Sequence, residues 1–307
     1  MKILLTGGAG FIGAHLAEAY VEAGHEVTVV DDLSSGHREN VPGGVRFEEL
    51  DIRSPEAAAL VEEVAPELIN HHAAQMNVRL SVEDPLFDAD VNVRGLVNIV
   101  EAGRRAGTRR VVFSSSGGTV YGEPEQLPCV EDLTPTRPVC PYGVSKLSGE
   151  QYLHYYHHVH GMGYVALRYA NVYGPRQDPH GEAGVVAIFS EKLLVGADCV
   201  IFGDGLQTRD YVFVGDVVRA NLACLETGYS GPINVGTGRE TDVNELYARI
   251  KEKVGGSGEA VHGPAKEGEV RRNVVDAARA EEVLGWRAAT DFSDGLGATV
   301  DFFRSRS

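Results

Sequence analysis

The sequence predicts an α/β fold in which a doubly wound parallel sheet is completed by a smaller C-terminal α/β lobe. Three observations carry that expectation. Short apolar runs alternate with helix-patterned stretches up to about residue 170, a glycine-rich turn joins the first run to the first helix, and an acidic residue closes the second run.

The first run, Ile3-Leu4-Leu5, leads into Thr6-Gly7-Gly8-Ala9-Gly10-Phe11-Ile12-Gly13. A chain that leaves a strand sharply, lays bare backbone on a pyrophosphate and packs its next helix close to the strand needs glycine at three places, here Gly7, Gly10 and Gly13. The pyrophosphate then rests on free N–H groups at the helix N-terminus, around Phe11 and Ile12. The helix pattern Ile12, Leu16, Ala19, Ala23 stops at Gly24, the run Val27-Thr28-Val29-Val30 follows, and Asp31 closes it. Strand, turn, helix, strand and acid in that order form a Rossmann-type dinucleotide fingerprint, and an acid at Asp31 suits the ribose diol of NAD better than the phosphate of NADP.

Further runs at 45–50, 68–70, 111–114 and 164–167 read as strands, and the stretches 56–64, 91–106 and 142–160 read as helices ended by nearby proline or glycine. Such alternation implies right-handed crossovers and a parallel sheet. The rhythm breaks at the turn-rich segment from Gly174 to Gly181, so residues 1–170 are expected to form the NAD-binding domain and 171–307 a second lobe. The runs at 211–214 and 232–235 are expected to return to the main sheet.

A chain of 307 residues with 43% hydrophobic content can bury substantial cores. Its net charge of -16 argues against nucleic-acid and anionic-membrane partners, because there is no basic surplus to neutralise phosphates. Cys129, Cys140, Cys199 and Cys224 show no metal-like spacing and read as reduced thiols of a cytoplasmic protein. No signal segment or membrane span is apparent in the sequence.

In Tyr142-Gly143-Val144-Ser145-Lys146, tyrosine and lysine stand four apart on a predicted helix and so share one face. Tyrosine is a poor base at neutral pH, but an adjacent ammonium and the positive nicotinamide of NAD stabilise the phenolate. An isolated YxxxK pattern is usually a surface pair. Behind a dinucleotide fingerprint, and with Ser114-Ser115-Ser116 at the C-terminal end of a predicted strand, it reads as a proton-transfer site. Ser116 is the first choice for the accompanying hydroxyl, ahead of Ser115 and Thr119.

With these elements together, the whole chain resembles the extended short-chain dehydrogenase/reductase family, within it the nucleotide-sugar epimerase/dehydratase group, and there most closely the UDP-glucose 4-epimerases. Matching segments include Asp31-Asp32 with Leu33-Ser34-Ser35-Gly36, Asp51-Ile52-Arg53, His72-Ala73-Ala74-Gln75, Asn92, 114–122, 141–146, 168–176, 202–214 and 268–276. The resemblance implies a catalytic set of Ser116, Tyr142 and Lys146, with NAD as resident cofactor. It implies cofactor contacts from Gly7, Gly10, Phe11, Ile12, Gly13, Asp31, Asp32, Ser35, Gly36, Asp51 and Ile52. Ala73, Ala74, Gln75, Asn92, Ser114 and Tyr169, together with Tyr142 and Lys146, complete that cofactor set. A UDP-sugar would be met by Gln75, Ser116, Asn171, Arg176, Arg209, Lys266, Glu269 and Asn273.

The family's usual serine segment is one residue shorter, Lys266 replaces an arginine and Glu269 an aspartate. Asn273 stands where some epimerases carry a size-limiting tyrosine, so the resemblance also allows an N-acetylated sugar. Epimerisation of UDP-glucuronate, with Arg176 on the carboxylate, is a further alternative. A 4,6-dehydratase is disfavoured by Gly117-Gly118 in place of an acidic pair, and a non-catalytic NAD sensor by the tyrosine–lysine pair. His154, His157, His158 and His160 read as a solvated helix face rather than a metal site, and Cys140 as structural. The resemblance implies a homodimer formed through the helices at 91–106 and 142–160.

Overall fold

In a computed structural model, which describes residues 1–180, 184–265 and 270–306, the first six strands are β1 (Lys2–Thr6), β2 (Glu26–Asp31), β3 (Arg46–Glu49), β4 (Leu68–His71), β5 (Arg110–Ser116) and β6 (Gly163–Tyr169). They are followed by β7 (Asn171–Tyr173), β8 (Cys199–Phe202), β9 (Thr208–Phe213), β10 (Gly231–Val235), β11 (Glu240–Asp242) and β12 (Ala260–Gly263). Seven strands pair in the order β10-β6-β5-β4-β1-β2-β3, all parallel.

Side chains alternate between two buried faces, as the pleat requires of a sheet covered on both sides. Ile3, Leu5, Val29, Val112, Val165 and Ile233 join one apolar cluster. Leu4, Val30, Ile69, Val111, Phe113 and Ala166, their neighbours along the same strands, join the other. Strand order reverses between β1 and β4, and that switch point opens the crevice at the C-terminal strand ends where the glycine turn sits.

The run at 232–235 lies in β10 and pairs with β6, as expected. The run at 211–214 does not return to this sheet. Tyr211, Val212 and Phe213 belong to β9, which lies between β7 and β11 in a separate three-stranded sheet, and Val214 opens the helix Val214–Ala223. Its apolar residues divide between two cores: Val212 joins the cluster that holds Ile3, Val112 and Val165, whereas Tyr211 clusters with Tyr173, Phe189, Ile201, Leu246 and Leu296. A two-stranded sheet, β8 with β12, completes the lobe.

Two short helices, Val78–Glu83 and Pro85–Ala89, were not read from the sequence. Asn77 and Asp84 cap them by accepting from the Leu80 and Phe87 amides. A single π-helical turn, Asp90–Arg94, then enters the helix Gly95–Ala106, so the helix expected from 91 becomes α-helical only from Gly95. The helix Pro141–His160 packs against both short helices and against β5.

Candidate active site

At the turn after β1, Gly7 has φ +71°, and a Cβ there would lie 2.5 Å from the Ala73 nitrogen; a Cβ on Gly13 would lie 2.0 Å from the Gly7 carbonyl oxygen. Both glycines are required by the protein's own close packing. Gly10 is different, because its added Cβ would meet only the Gly7 oxygen, at 3.4 Å. It also caps the helix Phe11–Glu22 without a side-chain acceptor, leaving the first-turn amides for an anion. The bare backbone at Gly10 therefore fits a pyrophosphate-bearing cofactor.

Beside it, Asp31 accepts from the Ala9 amide through Oδ2 and from the Leu33 amide through Oδ1, each at 2.9 Å. Burial pushes its carboxyl above the ordinary aspartate value, while the two amides act the other way. A Cβ on Gly36 would lie 2.9 Å from both Ala9 Cβ and Asp31 Oδ1, so glycine lets this turn close on the cradle. Asp32 accepts from the Ser34 amide and hydroxyl and is exposed, like Ser35.

Other residues expected at the cofactor have internal duties. Asp51 accepts from the backbone and guanidinium of Arg53, which holds its carboxyl below the usual range, and Arg53 continues to Asp90. The Ile52 side chain is buried in the core against Gly95, and its carbonyl accepts from Asn98. The Ala73 amide donates to the Thr6 hydroxyl, and Ala74 follows in the same partly buried segment. Gln75 and Asn92 clasp each other through backbone and side chain at 2.8 and 2.9 Å. The side-chain amide nitrogen of Gln75 donates to the Asn77 carbonyl and to Asp88, so its side chain braces this segment. Tyr169 stacks on His72 at 5.9 Å, and its hydroxyl accepts from Asn221.

The helix Pro141–His160 brings Tyr142 and Lys146 together as the four-residue spacing requires, with Lys146 Nζ 5.6 Å from the Tyr142 ring centroid and 5.0 Å from that of Phe113. Nζ donates to the Ser114 carbonyl at 2.8 Å, joining helix to β5. Burial lowers Lys146 to about 8. Burial, with the Asp88 charge behind it, raises the Tyr142 phenol well above its ordinary value.

The three candidate hydroxyls have different surroundings. Ser115 Oγ donates to Glu150 at 2.5 Å inside the core. Thr119 Oγ1 is sealed from solvent without a partner, and its Cβ lies 3.2 Å from where a Gly143 Cβ would be. Ser116 is partly exposed at the end of β5, and Gly118 lies beside both its Oγ and the Asn171 Oδ1.

Among the residues expected at the substrate, Asn273 is buried and donates to the Gly117 carbonyl at 3.1 Å, while its Oδ1 is buried without a partner. Arg209 donates to the Thr208 carbonyl at 2.7 Å. The neighbouring Asp210 accepts from the Thr237 amide and hydroxyl and from the Gly238 amide. Arg176, expected at a sugar carboxylate, forms a bidentate pair with Glu18 at 2.6 and 2.9 Å. Its backbone is left-handed, φ +68°, and Glu18 lies in the helix Phe11–Glu22. Lys266 and Glu269 lie outside the described residues. His154 and His158 stack at 6.3 Å, and no group of three or more metal-ligating side chains occurs among the described residues.

Residues 3–236 match the NAD dependent epimerase/dehydratase family. The chain belongs to that family. It is 48% identical over 313 residues to the UDP-glucose 4-epimerase of Mycolicibacterium smegmatis, with 100% of both chains covered. A UDP-glucose 4-epimerase from Thermotoga maritima, solved with UDP-glucose, superposes with a TM-score of 0.97 at 45% identity, over 100% of this chain and 99% of that one. The UDP-glucose 4-epimerase of Thermus thermophilus, solved with NAD, gives 0.95 at 43% identity over 100% of each.

Sequence reasoning missed Asp88, Ser81 and Ser145, which anchor the start of the helix Pro141–His160: Ser145 donates to Asp88 at 2.6 Å, and the Tyr142 amide donates to Ser81 at 3.2 Å. It also missed the buried Glu150–Arg168 pair, at 2.7 Å, behind Ser115.

Proposed function

We propose that this protein catalyses NAD-dependent 4-epimerisation of a UDP-hexose, interconverting UDP-glucose and UDP-galactose through a transient 4-keto sugar. The observation that carries the reading is Lys146, which faces Tyr142 and is hydrogen-bonded to the strand bearing Ser116, at the switch point that also holds the dinucleotide cradle. Bound NAD supplies reversible hydride acceptance. Tyr142 removes the proton of the sugar 4-hydroxyl as C4 loses hydride, and returns it after the keto sugar has presented its other face. Ser116 hydrogen-bonds the reacting oxygen, and Lys146 keeps positive charge near the phenol.

Gly117 and Gly118 offer no acid for the further proton transfers of an elimination, so the keto sugar is reduced again instead of losing water. Asn171 and Arg209 are assigned to the diphosphate. This activity belongs to galactose metabolism, and four cysteines without disulfides accord with a cytoplasmic setting.

Incubation with UDP-galactose, followed by NMR of the sugar anomeric protons, should give UDP-glucose and no unsaturated or deoxy product. A 4-keto-6-deoxy sugar, or no conversion of either hexose, overturns the assignment.

A further inference from the structure

Asp88 is a fully buried carboxylate at the end of the short helix Pro85–Ala89. Its Oδ1 accepts from Gln75 Nε2 at 2.9 Å and Asn92 Nδ2 at 3.0 Å, and its Oδ2 accepts from Ser145 Oγ at 2.6 Å. All three donors are neutral, and among the described residues no cation forms an ion pair with it. Lys146 is the complementary case, an equally buried ammonium that donates to a carbonyl instead of a carboxylate. Two buried charges, each hydrogen-bonded only to neutral groups, are costly, but the cost falls when they lie within each other's field in a poorly screened interior. Ser145 supplies the connection, since it precedes Lys146 in the chain and is the helix residue that Asp88 holds.

We propose that Asp88 is a positioning residue of the reaction: through Ser145 it fixes the helical turn between Tyr142 and Lys146, and its negative charge is the built-in counter-charge of Lys146. The charge acts on both members of the pair in the same sense. It favours the ammonium of Lys146 and opposes a phenolate at Tyr142, so the resting proton distribution is phenol plus ammonium. The geometry is consistent with a device that holds the proton on Tyr142 until opposing positive charge and substrate are in place.

Among the described residues, other titratable groups face the pair from the end of β4 and from the chain ahead of the helix. His71 and His72, at the exit of β4, are pushed to about 3 by burial and the Lys146 charge, so both are neutral throughout an assay range. Cys140 approaches Tyr142 from the chain preceding the helix, while Asp90 pairs with Arg53 and Arg94.

The inference rests on Tyr142 being the base, and its test separates the two claims. In the NAD-loaded enzyme, tyrosinate absorbance of each protein is titrated against the same protein carrying Tyr142→Phe, which isolates Tyr142 without requiring substrate. Asp88→Asn should move that midpoint, and the ascending limb of kcat/KM against pH, down by roughly half a pH unit or more. Asp88→Glu should restore the wild-type midpoint. Ser145→Ala keeps the charge and loses the anchor, so kcat should fall roughly tenfold or more with the midpoint unmoved. A midpoint that stays in place in Asp88→Asn overturns the proposal, as does wild-type kcat in Ser145→Ala, which decides alone should Asp88→Asn not fold. Full turnover in Tyr142→Phe would instead defeat the underlying assignment of the base.

Discussion

Lys146 Nζ donates to the Ser114 carbonyl oxygen at 2.8 Å, so one side chain ties the helix that carries the tyrosine to the strand that carries the serine. Its position has a thermodynamic signature. Burial takes Lys146 from 10.5 to about 8, whereas in the unfolded chain it keeps its proton until about 10.5. Between those values the unfolded state binds more protons, and wild-type stability gains from rising pH. Lys146→Met lacks this term. The stability of wild type relative to the variant should therefore grow by on the order of 3 kcal/mol across that window, as read by urea unfolding at a series of pH values. A difference independent of pH would show that Lys146 is not held as a buried titrating amine.

Tyr142→Phe removes only the proton-accepting oxygen. Turnover should fall by roughly 10²- to 10⁴-fold, with NAD retained through purification. Residual activity above a few per cent of wild type would contradict the assignment.

The three hydroxyls should separate by what is lost. Ser116→Ala should lower kcat strongly at unchanged stability, and Thr119→Ala should lower it less. Ser115→Ala instead withdraws a donor from buried Glu150 and should cost about 1–3 kcal/mol of stability. Thermal melts beside kinetics decide it, and a larger kcat loss in Thr119→Ala than in Ser116→Ala would reverse the choice of hydroxyl.

Asp31 should exclude NADP by repelling its additional phosphate. Dissociation constants measured by calorimetry should favour NAD by roughly a hundredfold, about 3 kcal/mol. Comparable affinities would remove Asp31 from that role. Because its carboxylate also holds the Ala9 and Leu33 amides, Asp31→Ala should weaken both cofactors by loosening the loop.

Assembly is expected through the helix Pro141–His160, whose outer face leaves Val144, Tyr152, Tyr155 and Val159 exposed, with Val82 and Leu86 exposed on the short helices packed against it. Sedimentation should give a dimer at micromolar concentration, and Tyr155→Glu should shift it toward monomer. A wild-type monomer would dispose of this expectation.

The nucleotide half was legible because its constraints are local. A glycine needed for a sharp turn, or a tyrosine and lysine one helical turn apart, is visible as spacing, and strands buried on both faces are visible as apolar runs. The destination of a strand is a different matter. The runs at 211–214 and 232–235 look alike in sequence, yet β9 pairs with β7 while β10 pairs with β6, because partner choice depends on contacts far along the chain. Asp88 was illegible for a related reason. In Pro85-Leu86-Phe87-Asp88 the apolar residues are exposed and the acid is buried, the inverse of what hydropathy suggests, and only Gln75, Asn92 and Ser145 make that tolerable. Arg176 carried the right chemistry for an anion, but Glu18 lies 158 positions away in sequence and no spacing rule could pair them.

Only Ala170 separates β6, in the seven-stranded sheet, from β7, in the three-stranded sheet, and its amide is fixed to the Val235 carbonyl at 2.9 Å. There is no hinge at that junction. Nor is residue 170 a point of division, because β10 extends the large sheet from beyond it and the helix Val214–Ala223 packs on the helix Phe11–Glu22. The protein is thus not modular along its chain: a fragment ending at 170 would leave β6 as a bare edge and one face of the helix Phe11–Glu22 uncovered. Recombining sugar specificity among relatives by exchanging C-terminal halves would also exchange part of the cofactor domain's own scaffold, whereas grafting individual loops at the crevice would leave that scaffold intact.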